Sequence, residues 1–357
     1  MPDAPAPEAQ RWRGASLALA AAALFGLSTP LAKLLLGTID PWAMAALLYL
    51  GSGIGLAVVR LARVAAAGGS EPALAGSDWI WFGGAIMAGG VVGPICLMIG
   101  LAKISAATAS LLLNLEGVAT ALLAWFMFRE NFDARIAAGM AAIIAGALVL
   151  SWQDDVRPAG LAGTIYIAVA CVAWGLDNNL TRQVSLSDPL QIAMWKGLIA
   201  GAVNLLLAFA VGAALPPVSL AVVTGLVGLA GYGASIVLFV LALRHIGSAR
   251  TGAYFSTAPF IGAAVAIIWL DEPLSLKWLA AGGLMGIGVW LHLTERHEHL
   301  HEHEFMEHSH RHRHDAHHQH EHEPGIDLRE PHTHRHRHGG MRHSHPHYPD
   351  AHHHHRH

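Results

Sequence analysis

Residues 16–36 read SLALAAAALFGLSTPLAKLLL, and Lys33 is the single charge among them. A run this long and apolar is what a helix rising 1.5 Å per residue needs to cross about 30 Å of hydrocarbon. Nine more runs of the same kind follow. Breaks at charged or turn-forming residues place the expected helices at 16–36, 41–60, 79–101, 106–127, 135–152, 160–181, 190–212, 219–243, 248–270 and 276–294. Helix is required here, because lipid offers no partner to an exposed N–H or C=O and these runs are twice the length of a barrel strand.

Composition agrees. The 357 residues are 54% hydrophobic and 13% charged, whereas soluble domains carry about 25% charged residues. Before Glu295 there are 14 basic and 14 acidic residues, and from Glu295 on 8 and 11, so the net charge of -3 belongs to the C-terminal tail. Nothing in this balance points to nucleic acid. Cys96 and Cys171 both fall in apolar runs, where a small buried hydrophobe is the usual role. Arg11 and Arg13 before an apolar run imitate a signal peptide, but the run continues past Pro30 to Leu36, so it reads as an uncleaved first helix.

With a cytoplasmic N-terminus, the inside loops hold Arg11, Arg13, Arg60, Arg63, Arg129, Arg135, Arg182, Arg244 and Arg250. The outside edges hold Lys33, Lys103, Arg157 and Lys277. The positive-inside rule then puts both termini in the cytoplasm, in a bacterial inner membrane.

The apolar part repeats itself. Phe25-Gly26-Leu27 before Lys33 matches Trp174-Gly175-Leu176 before Arg182. Ala102 to Ala106 matches Arg244 to Ser248, and Arg129-Glu130-Asn131 matches Asp271-Glu272-Pro273. Two halves of five spans follow, and an odd number of spans turns the second half upside down relative to the first. The fold class is therefore an all-α polytopic membrane protein, ten transmembrane helices in two inverted five-helix repeats, with a disordered His-rich tail. The expected division is a cytoplasmic segment 1–14, repeats at 15–152 and 160–294, and a cytoplasmic tail 295–357. Small residues four apart, as at Gly197 and Gly201 or Gly282 and Gly286, read as close-packing helix seams. Trp79, Trp81, Trp125, Trp269 and Trp278 near helix ends read as an aromatic belt.

Asn114-Leu115-Glu116-Gly117-Val118 through Arg129-Glu130-Asn131, and its counterpart Ser256-Thr257-Ala258-Pro259-Phe260 through Asp271-Glu272-Pro273, resemble paired segments of the EamA-type drug/metabolite transporters. The resemblance covers about 15–294. It implies ten helices, inverted repeats, a central cavity open to each side in turn, and movement of small organic solutes. Gly117 stands where members commonly carry Pro, so the resemblance implies a proline-type helix break at Pro259 and leaves one in the fourth span open.

Candidate substrate-binding or coupling residues are Asn114, Glu116, Asp177, Asn178, Asn179, Lys196, Tyr232, Tyr254 and Ser256. An acid at mid-span costs about 2.5–3.5 kcal/mol even on a lenient scale. Glu116 therefore needs water, a partner or a proton: it binds a cationic group, shuttles a proton, or packs as a hydrogen-bonded carboxyl. Asp177 and Lys196 lie almost equally far from the turn near Leu186, so an antiparallel hairpin brings them to similar depth toward the cytoplasmic side. They and Asn178 and Asn179 form either a polar cluster at a cavity mouth or a structural clasp assisted by Asn204. Tyr232, Tyr254 and Ser256 offer hydroxyls to a solute or cross-link helices.

The tail holds 24 of the 26 histidines, as H-x-H runs at His297, His299, His301 and His303, at His308, His310, His312 and His314, at His332, His334, His336 and His338, and at His343, His345 and His347. Neutral imidazole ligates Zn, Ni and Co, so the tail is a candidate divalent transition-metal site, with a pH-responsive tail at the lipid surface as the competing reading. His297 to His301 satisfies H-E-x-x-H, but alternating His and Glu generate that pattern by chance.

These readings converge on a secondary transporter, not an enzyme. It is expected to export a small molecule or ion, with a tail that reflects metal cargo or metal regulation. No cofactor is required, the bilayer is the principal partner, and a homodimer stays open. The alternative is a membrane-anchored metal-buffering or sensing protein.

Overall fold

The computed structural model describes residues 7–67, 74, 76, 78–128, 134–152, 158–182, 184, 188–293, 298–303, 306–312, 332–338 and 341–346. The chain divides into a helical unit, Met1–Glu295 with Asp350–His357, and a second unit, Arg296–Pro349. In the helical unit, α1 (Pro7–Leu35) and α2 (Pro41–Ala67) precede a third span made of α3 (Asp78–Ala85), a π-helical segment Ile86–Val92 and α4 (Gly93–Lys103). The fourth span is α5 (Ala106–Leu112) and α6 (Leu115–Phe128), followed by α7 (Ala134–Ser151). Next come α8 (Pro158–Arg182), α9 (Pro189–Ala210), α10 (Val218–Gly228), a second π-helical segment Leu229–Ala234 and α11 (Ser235–Phe255). The unit closes with α12 (Ala258–Trp269) and α13 (Leu276–Leu293).

Eight stretches of the described residues are long and apolar enough to cross a membrane, where ten were expected. The difference lies at the C-terminal end. Residues 244–250 contain no proline and one glycine, so nothing local stops the helix, and α11 runs through the turn expected between the eighth and ninth spans. What remains of the ninth is α12, with 12 residues. Helix α13 has 18 residues and carries Lys277 and His292 within it.

Packing is mostly between the two halves, and it is reciprocal. Helix α2 packs on α9, α7 on α13, and α5 on α12. The contacts of α1 with α11 and α12 have counterparts in those of α8 with α4 and α6. The irregular points pair as well: π segments begin at Ile86 and Leu229, and the breaks fall at Leu113-Asn114 and Ser256-Thr257, each offset by about 143 residues. Lipid tails supply no hydrophobic drive between helices, so close backbone approach must hold these contacts. A Cβ on Gly53 would lie 2.7 Å from the Gly197 carbonyl carbon, and one on Gly288 2.5 Å from the Gly139 oxygen. The seam expected at Gly282 and Gly286 is looser, with nearest atoms at 3.7 and 3.9 Å, and Gly288 is the tight position instead.

In the second unit, β1 (Glu298–His303) pairs antiparallel with β4 (Met341–Pro346), and β2 (Met306–His312) with β3 (His332–His338). The sequence reading gave this tail no regular structure. Its H-x-H alternation nevertheless has the two-residue period of a strand.

Replacing Gly197 by Leu should therefore destabilise the helical unit by about 1–3 kcal/mol through overpacking against Gly53. Gly83→Ala, where nothing lies within 4 Å, should be neutral or stabilising by up to about 1 kcal/mol. Thermal unfolding of both variants in detergent measures the contrast.

Candidate functional site

The third span changes from α to π bonding at Ile86–Val92, and the carbonyls in that segment accept side-chain hydrogen bonds from three other helices. Gly89 O accepts from the Tyr49 hydroxyl at 2.8 Å and from Trp174 Nε1 at 2.9 Å. Gly90 O accepts from Asn204 Nδ2 at 2.9 Å. Non-standard backbone within a membrane must be satisfied by protein, and π segments recur at functional sites for that reason. Glycine at 89 is a steric requirement, because a Cβ there would overlap the Asp177 carboxylate.

Asp177 thus sits beside the middle of the third span. It forms the anticipated ion pair with Lys196, and its Oδ1 accepts from Thr181 Oγ1 at 2.9 Å. Side-chain exposures of 5% and 14% make this an ion pair held away from solvent. At the next residue of α8, Asn178 Nδ2 donates to Glu116 Oε1 at 2.9 Å and to Thr120 Oγ1 at 3.2 Å. Asn179 Nδ2 donates to Thr120 O at 3.1 Å and to Gly175 O at 2.8 Å. Asn178 and Asn179 thus meet at Thr120 beside Glu116, and the Asp177–Lys196 pair forms a second polar set adjacent to it on consecutive residues of α8.

The fourth span breaks at Leu113-Asn114 without a proline. Asn114 Nδ2 donates to Leu111 O at 2.9 Å, and Cys171 Sγ donates to Leu112 O at 3.6 Å. Cys171 is buried, as the sequence suggested, and also serves the broken helix. Tyr232 lies in the second π segment, buried, with its ring centroid 5.4 Å from Tyr49 and 5.9 Å from Phe25. Tyr254 is on the exposed side of α11, and the Ser256 N–H closes that helix by donating to Gly252 O at 2.9 Å. Helices α1, α5 and α12 converge on a gap lined by Phe25, Gly26, Thr29, Ser110, Leu113, Ala258 and Pro259, too narrow for a water molecule. Among the described residues, the Ser110 hydroxyl is buried there without a hydrogen-bond partner.

A second set of charges, Lys33 and Glu272, marked the repeat in the sequence but was given no bonding role there. Lys33 Nζ donates to Leu101 O at 2.6 Å and Ile104 O at 2.8 Å, capping the C-terminus of α4. The Glu272 carboxylate accepts from Ala106 N at 2.6 Å and Ala107 N at 2.8 Å, capping α5. Each charge opposes the partial charge of the helix end it meets. Asp271, with φ of 50°, adopts the left-handed conformation immediately before Glu272. Sequence reading also overlooked Tyr49, Trp174 and Thr120, whose partners are backbone atoms or amides far along the chain; Gly89-Gly90 was the available signal. The tail histidines and their metal reading lie outside the described side chains, and among the described residues no group of three metal-capable side chains occurs.

Broken helices, π segments and a buried ion pair among apolar, membrane-length helices define a polytopic membrane protein with a polar interior cluster. The chain belongs to the EamA-like transporter family, whose model matches residues 12–152 and 161–294. It is 29% identical over 288 residues to an uncharacterized transporter of Methanothermobacter thermautotrophicus, covering 76% of this chain and 84% of that protein. A solved structure described only as a crystal structure of protein shares the fold, with a TM-score of 0.55, 18% identity, and coverage of 79% of this chain and 95% of that one. The protein is thus a multi-pass membrane transporter.

Removing one member of the buried pair leaves a stranded charge. Asp177→Asn or Lys196→Met alone should cost about 3–5 kcal/mol of stability, while the double variant should recover most of it. Urea or heat unfolding of the three variants in detergent reads the coupling.

Proposed function

We propose that this transporter is a secondary carrier that exports a small solute by alternating access of two inverted repeats, with Glu116 as the residue that carries an exchangeable positive charge. The observation that supports this is the contrast between its two neighbouring carboxylates. Asp177 has Lys196 as its counter-charge, whereas the polar contact of Glu116 among the described residues is the neutral amide of Asn178. A carboxyl at the centre of the fourth span, next to a compensated pair, is suited to a proton or to the cationic group of a solute. Ser110, Thr29 and the helix ends at Asn114 and Thr257 lie on the same fourth and ninth spans or on α1 beside them, where a solute would meet polar groups as the gap widens.

Reciprocal packing of the halves supports the inverted repeat, since the same contacts recur when first and second halves are exchanged. The Glu272 cap joins α5 of the first half to the loop after α12, so it holds one end of the bundle shut while it persists, and the Lys33 cap ties α1 to α4 beside it. Rocking the halves would release that end and open the path there. The distribution of arginines supports cytoplasmic termini.

Purified protein in liposomes loaded with a pH-sensitive dye, challenged with a panel of organic amines, amino acids and divalent cations, tests this reading. At least one solute should drive proton or solute counterflow, and Glu116→Gln should lower that flux by about tenfold or more while the protein stays folded. Undiminished flux in Glu116→Gln, or no flux with any solute, contradicts it.

A further inference from the structure

The register of the two tail ladders sets histidine opposite histidine at every second position. In the β2–β3 ladder, His308 faces His336, His310 faces His334 and His312 faces His332. The β1–β4 ladder repeats this with His299 opposite His345 and His301 opposite His343. The intervening positions pair differently: Glu307 is opposite Arg337, and Glu302 is opposite Arg342. Because the side-chain period of a strand is two, residues in direct register share a face. Each ladder therefore has one face of histidine pairs and one that includes an acid–base pair.

The histidine pairing constrains the register to steps of two. A slip of one residue sets histidines against Arg, Glu, Ser or Thr, whereas a slip of two keeps histidine pairs and, in one direction, sets Glu307 opposite Arg335. Opposed Cα atoms in an antiparallel pair lie about 4.5–5.5 Å apart, and the next pair along the same face is about 7 Å away. Two adjacent pairs thus bring four imidazole-bearing residues into a patch of the size that one metal ion spans through nitrogen ligands at about 2.0–2.1 Å. Neither ladder has a hydrophobic face, and an isolated two-stranded ladder is marginal in water. Something other than apolar burial must hold the strands together.

We propose that the opposed histidine pairs of the two ladders are binding sites for a divalent transition metal of the Zn, Ni or Co class, and that the metal is what stabilises strand pairing in the tail. Neutral imidazole suits these ions, and a site absent from the unpaired chain couples binding to ordering. Metal-free, the segment tends toward the unstructured chain its composition describes; metal-loaded, it holds the paired register. The inference stands apart from the transport reading and concerns binding alone.

The test uses the full-length protein in detergent, titrated with Zn(II) against a chelating indicator, with hydrogen exchange followed on peptides spanning 306–312 and 332–338. Zn(II) should slow exchange in both segments together. Exchanging each neighbour within Glu307/His308, Ser309/His310 and Arg311/His312 preserves composition but moves the histidines of β2 to the other face. That variant should lose affinity on the order of tenfold or more, together with the protection. The matching exchanges His332/Thr333, His334/Arg335 and His336/Arg337, added to it, should restore both. Zn(II) affinity and protection that ignore the first exchange, Zn(II) binding without slowed exchange in wild type, or no binding at all would each overturn the proposal.

Discussion

Backbone polar groups inside a membrane must find partners within the protein, and the interior of this bundle is arranged around that constraint. Regular helices satisfy it without help. The π segment at Ile86–Val92 and the break at Leu113-Asn114 do not, and their carbonyls are met by Tyr49, Trp174, Asn204, Asn114 and Cys171. Those donors come from the second, sixth and seventh spans as well as from the broken helix itself. An irregular stretch of backbone thereby becomes an element that ties the halves together.

Charge follows the same logic. Lys33 and Glu272 each meet a helix end whose partial charge they oppose, which lets two ionic groups sit at the bundle's rim without pairing directly by hydrogen bond. Asp177 and Lys196 compensate each other at mid-depth, and Asp177 can lie against the third span because Gly89 offers no side chain. Glu116 is linked to this pair through the neighbouring residue Asn178. A change of charge at Glu116 would be felt by α6 and α8, which contribute to both halves of the packing.

Much of the membrane part was legible because lipid solvent narrows the choices. Hydropathy located the spans, and hairpin depth brought Asp177 and Lys196 together. The repeat in sequence has its counterpart in the offset of the π segments and breaks. What stayed hidden depends on backbone accepting from distant side chains, as at Gly89, or on a loop residue reaching another half's helix end, as Glu272 does; neither leaves a periodic signal. The fourth span shows a break without the proline that would announce it, since Asn114 supplies the hydrogen bond locally. Between the eighth and ninth spans a turn was expected where α11 continues as helix, because composition alone does not tell a turn from a helical residue in Arg244 to Arg250.

The central claim is that the ends of one polar path open in alternation around the Glu272 cap. Accessibility to a membrane-impermeant thiol reagent in sealed vesicles tests it most directly, with reporters Ser105→Cys beside the cap and Leu176→Cys beside the ion pair, each measured against the Cys96→Ala parent, whose one remaining thiol, the buried Cys171, sets the baseline. Glu272→Gln should raise labelling of the first and lower that of the second by about tenfold, the loss of one charge-assisted hydrogen bond. Labelling that rises at both positions together, or changes at neither, contradicts it.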